Sequence, residues 1–287
     1  MRLFRPRTIP EVLELLKPEG APKVIAGGTD ILASWATLSA WSCVPAQSML
    51  DLTAVEDLKS IEVKSDETVI GAGATWTDIV KSALPPELHA LQQAACEIGG
   101  IQIQNRGTIG GNLCNASPAA DSIPALLAVD AQVDIVSSQG SRFLPLSDFV
   151  LGNRRTALRH GEILRSVRIP RLASTCRSSF FKLGARRYLV ISITMVAMVI
   201  DIAGDGTISD LRVSVGACSA KAQRLTRLEH DLTGRMLTPS LTELVKESHM
   251  QELSPIDDFR ATGEYRNEAA LVIVRRLIRE NADRFAG

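Results

Sequence analysis

Two of the three glycine pairs in this chain limit what it can become. The first closes Lys23-Val24-Ile25-Ala26-Gly27-Gly28-Thr29-Asp30, where a short apolar run ends in two residues without side chains. The second lies in Gly107-Thr108-Ile109-Gly110-Gly111-Asn112-Leu113-Cys114-Asn115-Ala116-Ser117-Pro118-Ala119-Ala120-Asp121. Both read as loops. Without Cβ atoms a backbone can pass close to a ligand, and successive N–H groups can converge on an anion. Thr108, Asn112, Asn115 and Ser117 add side chains able to bond phosphate oxygens. Asp121 can accept from sugar or ribityl hydroxyls, but not from phosphate. A single glycine pair is what any tight turn has. Two pairs, each followed by Thr or Asn, point to one shared ligand with a diphosphate and a polyhydroxyl part.

The rest of the chain supplies the frame. Leu3-Phe4 reads as a short strand, and Thr8 with Glu11 as the capping box of a helix that carries Val12, Leu13, Leu15 and Leu16. Val24 to Ala26 reads as a buried strand, and Ile31 to Trp35 as the start of a helix. Strands follow at Met49 to Leu52, Ile61 to Val63 and Thr68 to Ala74. Thr75 caps the next helix, and another runs from about Glu87 to Ile98. Beyond Asp121 come a helical turn at Ile123 to Leu127, a hairpin turning at Gln139-Gly140, and a strand from Glu162 to Pro170. Small polar residues at 171–178 mark a boundary. Three antiparallel strands are then expected, with Gly204-Asp205-Gly206 as the hairpin turn. Two helices close the chain, about Ser240 to Leu253 and Glu264 to Asn281. Interleaved short strands and helices make the fold class α+β.

Composition narrows the function. Lys+Arg and Asp+Glu are equal at 32 each, so there is no basic excess for nucleic acid. The five cysteines are far apart and odd in number, with no CxxC, so neither a disulfide framework nor a metal site is expected. Reduced thiols fit a cytoplasmic protein. Cys114 is read as a small buried side chain rather than a redox thiol. Trp35 and Trp41 read as packing residues, and the four scattered histidines as surface residues. The longest apolar run, Leu189 to Ile200, is too short for a bilayer. Walker A, GxGxxG and Gly-x-Ser-x-Gly patterns are missing, and no paired carboxylates stand out. The chemistry is therefore expected to belong to a bound cofactor.

These stretches resemble the FAD-binding medium subunit of the molybdenum hydroxylases, the xanthine dehydrogenase and carbon monoxide dehydrogenase family. Lys23 to Asp30 resembles its first FAD loop, and Thr108 to Asn112 followed by Asn115 to Asp121 its second. Gly161-Glu162-Ile163-Leu164, Phe181-Lys182-Leu183-Gly184 and Asp258 to Arg266 match further motifs in order. The resemblance implies a two-subdomain FAD-binding (PCMH-type) fold over residues 1–175, split near residue 60. A C-terminal α+β domain over 176–287 would carry the three-stranded antiparallel sheet with helices.

It implies FAD along Lys23, Val24, Ile25, Ala26, Gly27, Gly28, Thr29 and Asp30, and along Thr108, Ile109, Gly110, Gly111 and Asn112. Asp121 would meet cofactor hydroxyls, Leu164 would give a backbone or apolar contact, and Lys182 would approach through its ammonium or stem. Apart from the resemblance, Asp121 reads as a helix N-cap and Lys182 as a solvated lysine. The family context implies a large molybdopterin-binding subunit and a small subunit with 2Fe–2S clusters. Electrons would pass to FAD and on to NAD⁺ or another acceptor. The substrate, a purine or other N-heterocycle or aromatic, would be oxidised on a different chain.

Val190 stands where many members have Asp, and Tyr188 is open to a place near the flavin ring or in the core. No clustered cysteines suggest a 4Fe–4S cluster in this chain. A free-standing flavin reductase or oxidase would need a substrate pocket that the sequence does not offer. A flavin-free scaffold would not need its glycine loops.

Overall fold

Thr8 starts the first helix as its sequence predicts. Its hydroxyl accepts from Glu11 N, while the Glu11 carboxylate reaches back to Arg7 N rather than to Thr8 itself. The computed structural model describes residues 2–17, 20–33 and 48–286. Trp35, Trp41 and Cys43 lie outside these residues, as does the far end of the helix expected from Ile31, of which 31–33 are helical.

The first layer is a parallel sheet of β1 (Leu3–Phe4), β2 (Lys23–Ile25) and β3 (Met49–Asp51), in the order β1-β3-β2. Helix α1 (Ile9–Leu16) covers it through Val12 and Leu16. A five-stranded antiparallel sheet follows, in the order β4-β5-β10-β6-β7. Its strands are β4 (Ile61–Val63), β5 (Glu67–Gly71), β6 (Gln132–Ser137), β7 (Gly140–Pro145) and, after a small ribbon, β10 (Ile163–Pro170). The ribbon pairs β8 (Val150–Gly152) with β9 (Arg155–Thr156).

Helices lie between β5 and β6. They are α2 (Trp76–Lys81), α3 (His89–Glu97), α4 (Ile101–Gln104), α5 (Ile109–Asn115) and α6 (Ser122–Ala128), with a last turn α7 (Leu146–Phe149) after β7. Thr75 caps α2 with a complete capping box to Asp78. The stretch expected as the central loop is therefore a helix, α5. Thr108 caps it by accepting from Gly111 N at 3.0 Å, which offsets two glycines of low helix propensity.

The C-terminal sheet consists of β11 (Arg177–Leu183), β12 (Thr194–Ile202) and β13 (Ile208–Gly216), joined by a two-residue fourth strand β14 (Gln223–Arg224). The apolar run in β12 is explained by cover on both faces. Met195, Ala197 and Val199 point into a core shared with α6 and the five-stranded sheet. Val196, Met198 and Ile200 point into a second core against the long helix α9 (Gly263–Ala286). One hydrophobic core thus runs across residues 70–222.

Helix α8 (Thr226–Leu232) has no side-chain cap and is not foreseen by the sequence reading. The helix expected from Ser240 to Leu253 is instead two 3₁₀ turns, Pro239–Leu244 and Glu247–Glu252. The break falls at Val245, whose carbonyl accepts from Arg275 of α9 at 2.6 and 3.1 Å. Val245 and Lys246 are both extended there, so the chain leaves helical geometry at this point. His249, expected at the surface, is buried; its Nδ1 accepts from Lys246 N and its Nε2 faces Asp231 at 3.1 Å. Among the described residues no helix is long and apolar enough to cross a membrane.

Candidate functional site

The first glycine stretch leaves the carboxyl end of β2, the end at which open sheets holding parallel strands present their ligands. Gly28 adopts φ +73°, a conformation glycine takes at little cost. Gly27 is buried against the backbone of Arg106 and Gly107, and a Cβ there would collide with the Arg106 carbonyl. The Arg106 Nε also donates to Gly27 O at 3.4 Å. The fold therefore brings the two glycine stretches into contact through main-chain atoms. Among the described residues, the N–H groups of Gly27, Gly28 and Thr29 have no acceptor. Three successive free amides make an anion cradle.

The second stretch works differently from the expected nest. The α5 first-turn amides are all engaged. Ile109 N donates to Ala74 O, Gly110 N to Ala72 O, Gly111 N to the Thr108 hydroxyl, and Asn112 N to Thr108 O. Gly110 is required by packing, since a Cβ there would lie 2.6 Å from Ala72 Cβ. Gly111 faces the open side. A Cβ there would meet only Thr108 Oγ1 at 3.0 Å and Ala26 Cβ at 4.0 Å. Thr108 and Ile109 are buried, and Asn112 Oδ1 accepts from Ser122 Oγ at 2.7 Å. The pair serves close approach and open space instead of offering N–H donors.

Asp121 and Lys182 meet in the interior. Lys182 Nζ donates to Asp121 Oδ2 at 2.6 Å and to Glu97 O at 3.2 Å, and Ser192 Oγ donates to Asp121 Oδ1. Their side chains are only 7% and 6% exposed, so Lys182 is not the solvated lysine its residue type alone suggests. Asp121 makes no capping bond to α6 either. Burial pushes its carboxyl up, and Lys182 and Ser192 pull it back. Leu164 lies in the core, with its backbone in register with Ile135 of β6.

Arg154 ties the open edge. It donates to Asp30 Oδ2 at 2.7 Å and to Asn115 Oδ1, joining the end of the first stretch to the end of α5. Sequence reading missed Arg154, because its partners are separated by 124 and 39 positions.

Cys114 is exposed, contrary to its reading as a buried filler. Its thiol is nonetheless pushed up to about 12 by desolvation. Desolvation of the sulfur by the protein around it is the cause of that rise. Since the thiolate is the reactive species, iodoacetamide at pH 8 should modify Cys114 far more slowly than glutathione at equal concentration. Mass spectrometry of the digested protein checks this; labelling at the glutathione rate would contradict it.

Residues 1–172 match the model of the FAD binding domain in molybdopterin dehydrogenase, and residues 179–281 that of the CO dehydrogenase flavoprotein C-terminal domain. The chain is 32% identical over 281 residues to the nicotine 6-hydroxylase medium subunit of Paenarthrobacter nicotinovorans, covering 98% of this chain and 96% of that one. It is 29% identical over 279 residues to the xanthine dehydrogenase FAD-binding subunit of Escherichia coli O157:H7, covering 96% and 94%. Among solved structures, quinoline 2-oxidoreductase from Pseudomonas putida 86 superposes with a TM-score of 0.89 at 26% identity, over 99% of this chain and 97% of that one.

Proposed function

The chain belongs to the FAD-binding medium subunits of the molybdenum hydroxylases, and from that premise we propose its place in electron flow. It takes electrons from 2Fe–2S clusters on a small partner subunit and delivers them to NAD⁺ or another acceptor. The substrate, a purine or other N-heterocycle or aromatic, is oxidised on a large molybdopterin-binding partner. The complex works in the cytoplasm. The observation that carries the cofactor assignment is the run of three free amides at Gly27, Gly28 and Thr29 beside the open side of Gly111.

The residues fit FAD. The amides of 27–29 suit a diphosphate, and Gly111 leaves room where any side chain would intrude. Bound FAD supplies the redox chemistry, accepting electrons singly and releasing them as a pair. The protein's own groups hold it. Lys23, Val24 and Ile25 fix the direction from which the cradle leaves the sheet, and Ala26 lines it opposite Gly111. Asp121 oxygens keep lone pairs beyond those used by Lys182 and Ser192, and these can accept from cofactor hydroxyls. Lys182 pulls the Asp121 carboxyl down against the larger upward push of burial. Leu164 backs the site from the core. The molybdopterin and 2Fe–2S centres are assigned to the partner subunits.

Gly111→Val tests the cradle. The branched side chain fills open space, so the chain should still fold while FAD affinity falls at least about a hundredfold, roughly 2.7 kcal/mol. Flavin fluorescence titration of the deflavinated chain, beside thermal unfolding, reads both. Full FAD retention by the folded variant would remove α5 from the site.

A further inference from the structure

The geometry points to Arg154 as a positioning residue that clamps the two cradle stretches together and thereby sets cofactor retention. This rests on the FAD reading above. Arg154 occupies the turn between β8 and β9 at φ +57°, which a side-chain-bearing residue adopts only against a backbone cost. Its own N–H donates to Ala116 O at 2.9 Å, and Ala116 is the left-handed residue (φ +46°) that ends α5. The backbone of the turn is thus locked onto the end of α5, and its side chain reaches outward from there.

The guanidinium spans the gap to the first stretch. It holds both Asp30 oxygens, at 2.7 and 3.4 Å, while its Nη1 also donates to Asn115 Oδ1. Three segments far apart in sequence therefore meet at one side chain. Arg154 and Asp30 are 56% and 48% exposed, so water screens the pair and it adds little to global stability. A fork that bridges two acceptors fixes geometry better than a point charge does. Arg106 grips the buried start of the cradle at Gly27, and Arg154 grips its exposed end at Asp30. Between them lie the three free amides. A cradle held at both ends needs no reordering when a diphosphate arrives, which favours binding through preorganisation.

The test uses the full chain, stripped of flavin and titrated with FAD. Arg154→Met keeps the stem and removes the fork; Arg154→Lys keeps the charge but loses the planar fork that holds both Asp30 oxygens while Nη1 also reaches Asn115. Asp30→Asn weakens the opposite grip, and Arg154→Met with Asp30→Asn completes the cycle. Each single variant should weaken FAD binding about tenfold, and the double variant should be no weaker than Arg154→Met alone. Melting temperatures should stay at the wild-type value.

Wild-type affinity in both Arg154 variants would overturn the clamp while leaving the FAD reading intact. Full rescue by Arg154→Lys, or strictly additive losses in the double variant, would also overturn it, because either would make Arg154 a lone charge. A wild-type chain that binds no FAD would overturn both readings.

Discussion

Lys182→Met should destabilise the protein by about 3–5 kcal/mol at neutral pH, because it strands a buried carboxylate. Asp121 would keep only Ser192 as a partner, in a place where its side chain is 7% exposed. With the lysine's lowering pull gone, burial pushes the carboxyl further up. An acid whose folded pKa is raised contributes stability below its unfolded value, near 3.9, and loses it as pH rises through the folded pKa. The deficit against wild type should therefore be larger at pH 8 than at pH 5. Asp121→Asn in the same chain should recover much of it, since an amide needs no counter-charge. Urea unfolding at the two pH values reads the effect. An equal deficit at both, without recovery by Asn, would mean that the lysine contributes through packing of its stem.

Gly27→Ala is the second large effect. The new methyl would be driven into the Arg106 carbonyl, and backbone cannot rotate aside as a side chain can. Overpacking of this kind costs about 1–3 kcal/mol. The cheapest relief is for the first stretch to lift away from α5, which separates the halves of the cradle. FAD affinity should then fall at least about tenfold, about 1.4 kcal/mol. Gly111→Ala is the contrast in stability, since its methyl meets only the Thr108 hydroxyl at 3.0 Å and Ala26 Cβ at 4.0 Å. A Gly27→Ala chain that melts and binds FAD as wild type does would show that the seam yields without opening.

Much of this architecture is legible in the sequence because it depends on local signals. Thr8 and Thr75 announce their helices through their own hydroxyls, and Gly204-Asp205-Gly206 announces a hairpin through backbone freedom. Where the reading failed, a distant partner decided. Two glycines at 110 and 111 argue for a loop, yet Thr108 and the carbonyls of Ala72 and Ala74 make a helix there. Thr108, two residues before the pair, was the available signal. The spacing of Leu241, Val245 and Leu253 suits a helix, but Arg275 takes the Val245 carbonyl from outside. In the site the glycine stretches were visible as motifs. The Lys182–Asp121 pair and the Arg154 clamp join residues 61 and 124 positions apart, and nothing local announces such meetings.

The seam at Gly27 also bears on protein engineering. One side of it is a missing side chain, and the other is peptide backbone, which every sequence possesses. Such a junction is indifferent to the identity of residue 106 as far as shape is concerned. A chimera that takes its first sixty residues from a relative at about 30% identity should keep this junction closed, provided glycine is retained at position 27. The exposed edge is less forgiving, because it needs a matched acid at 30 and arginine at 154 from the two parents. Cofactor retention in such hybrids would then sort by one ion pair and not by overall similarity.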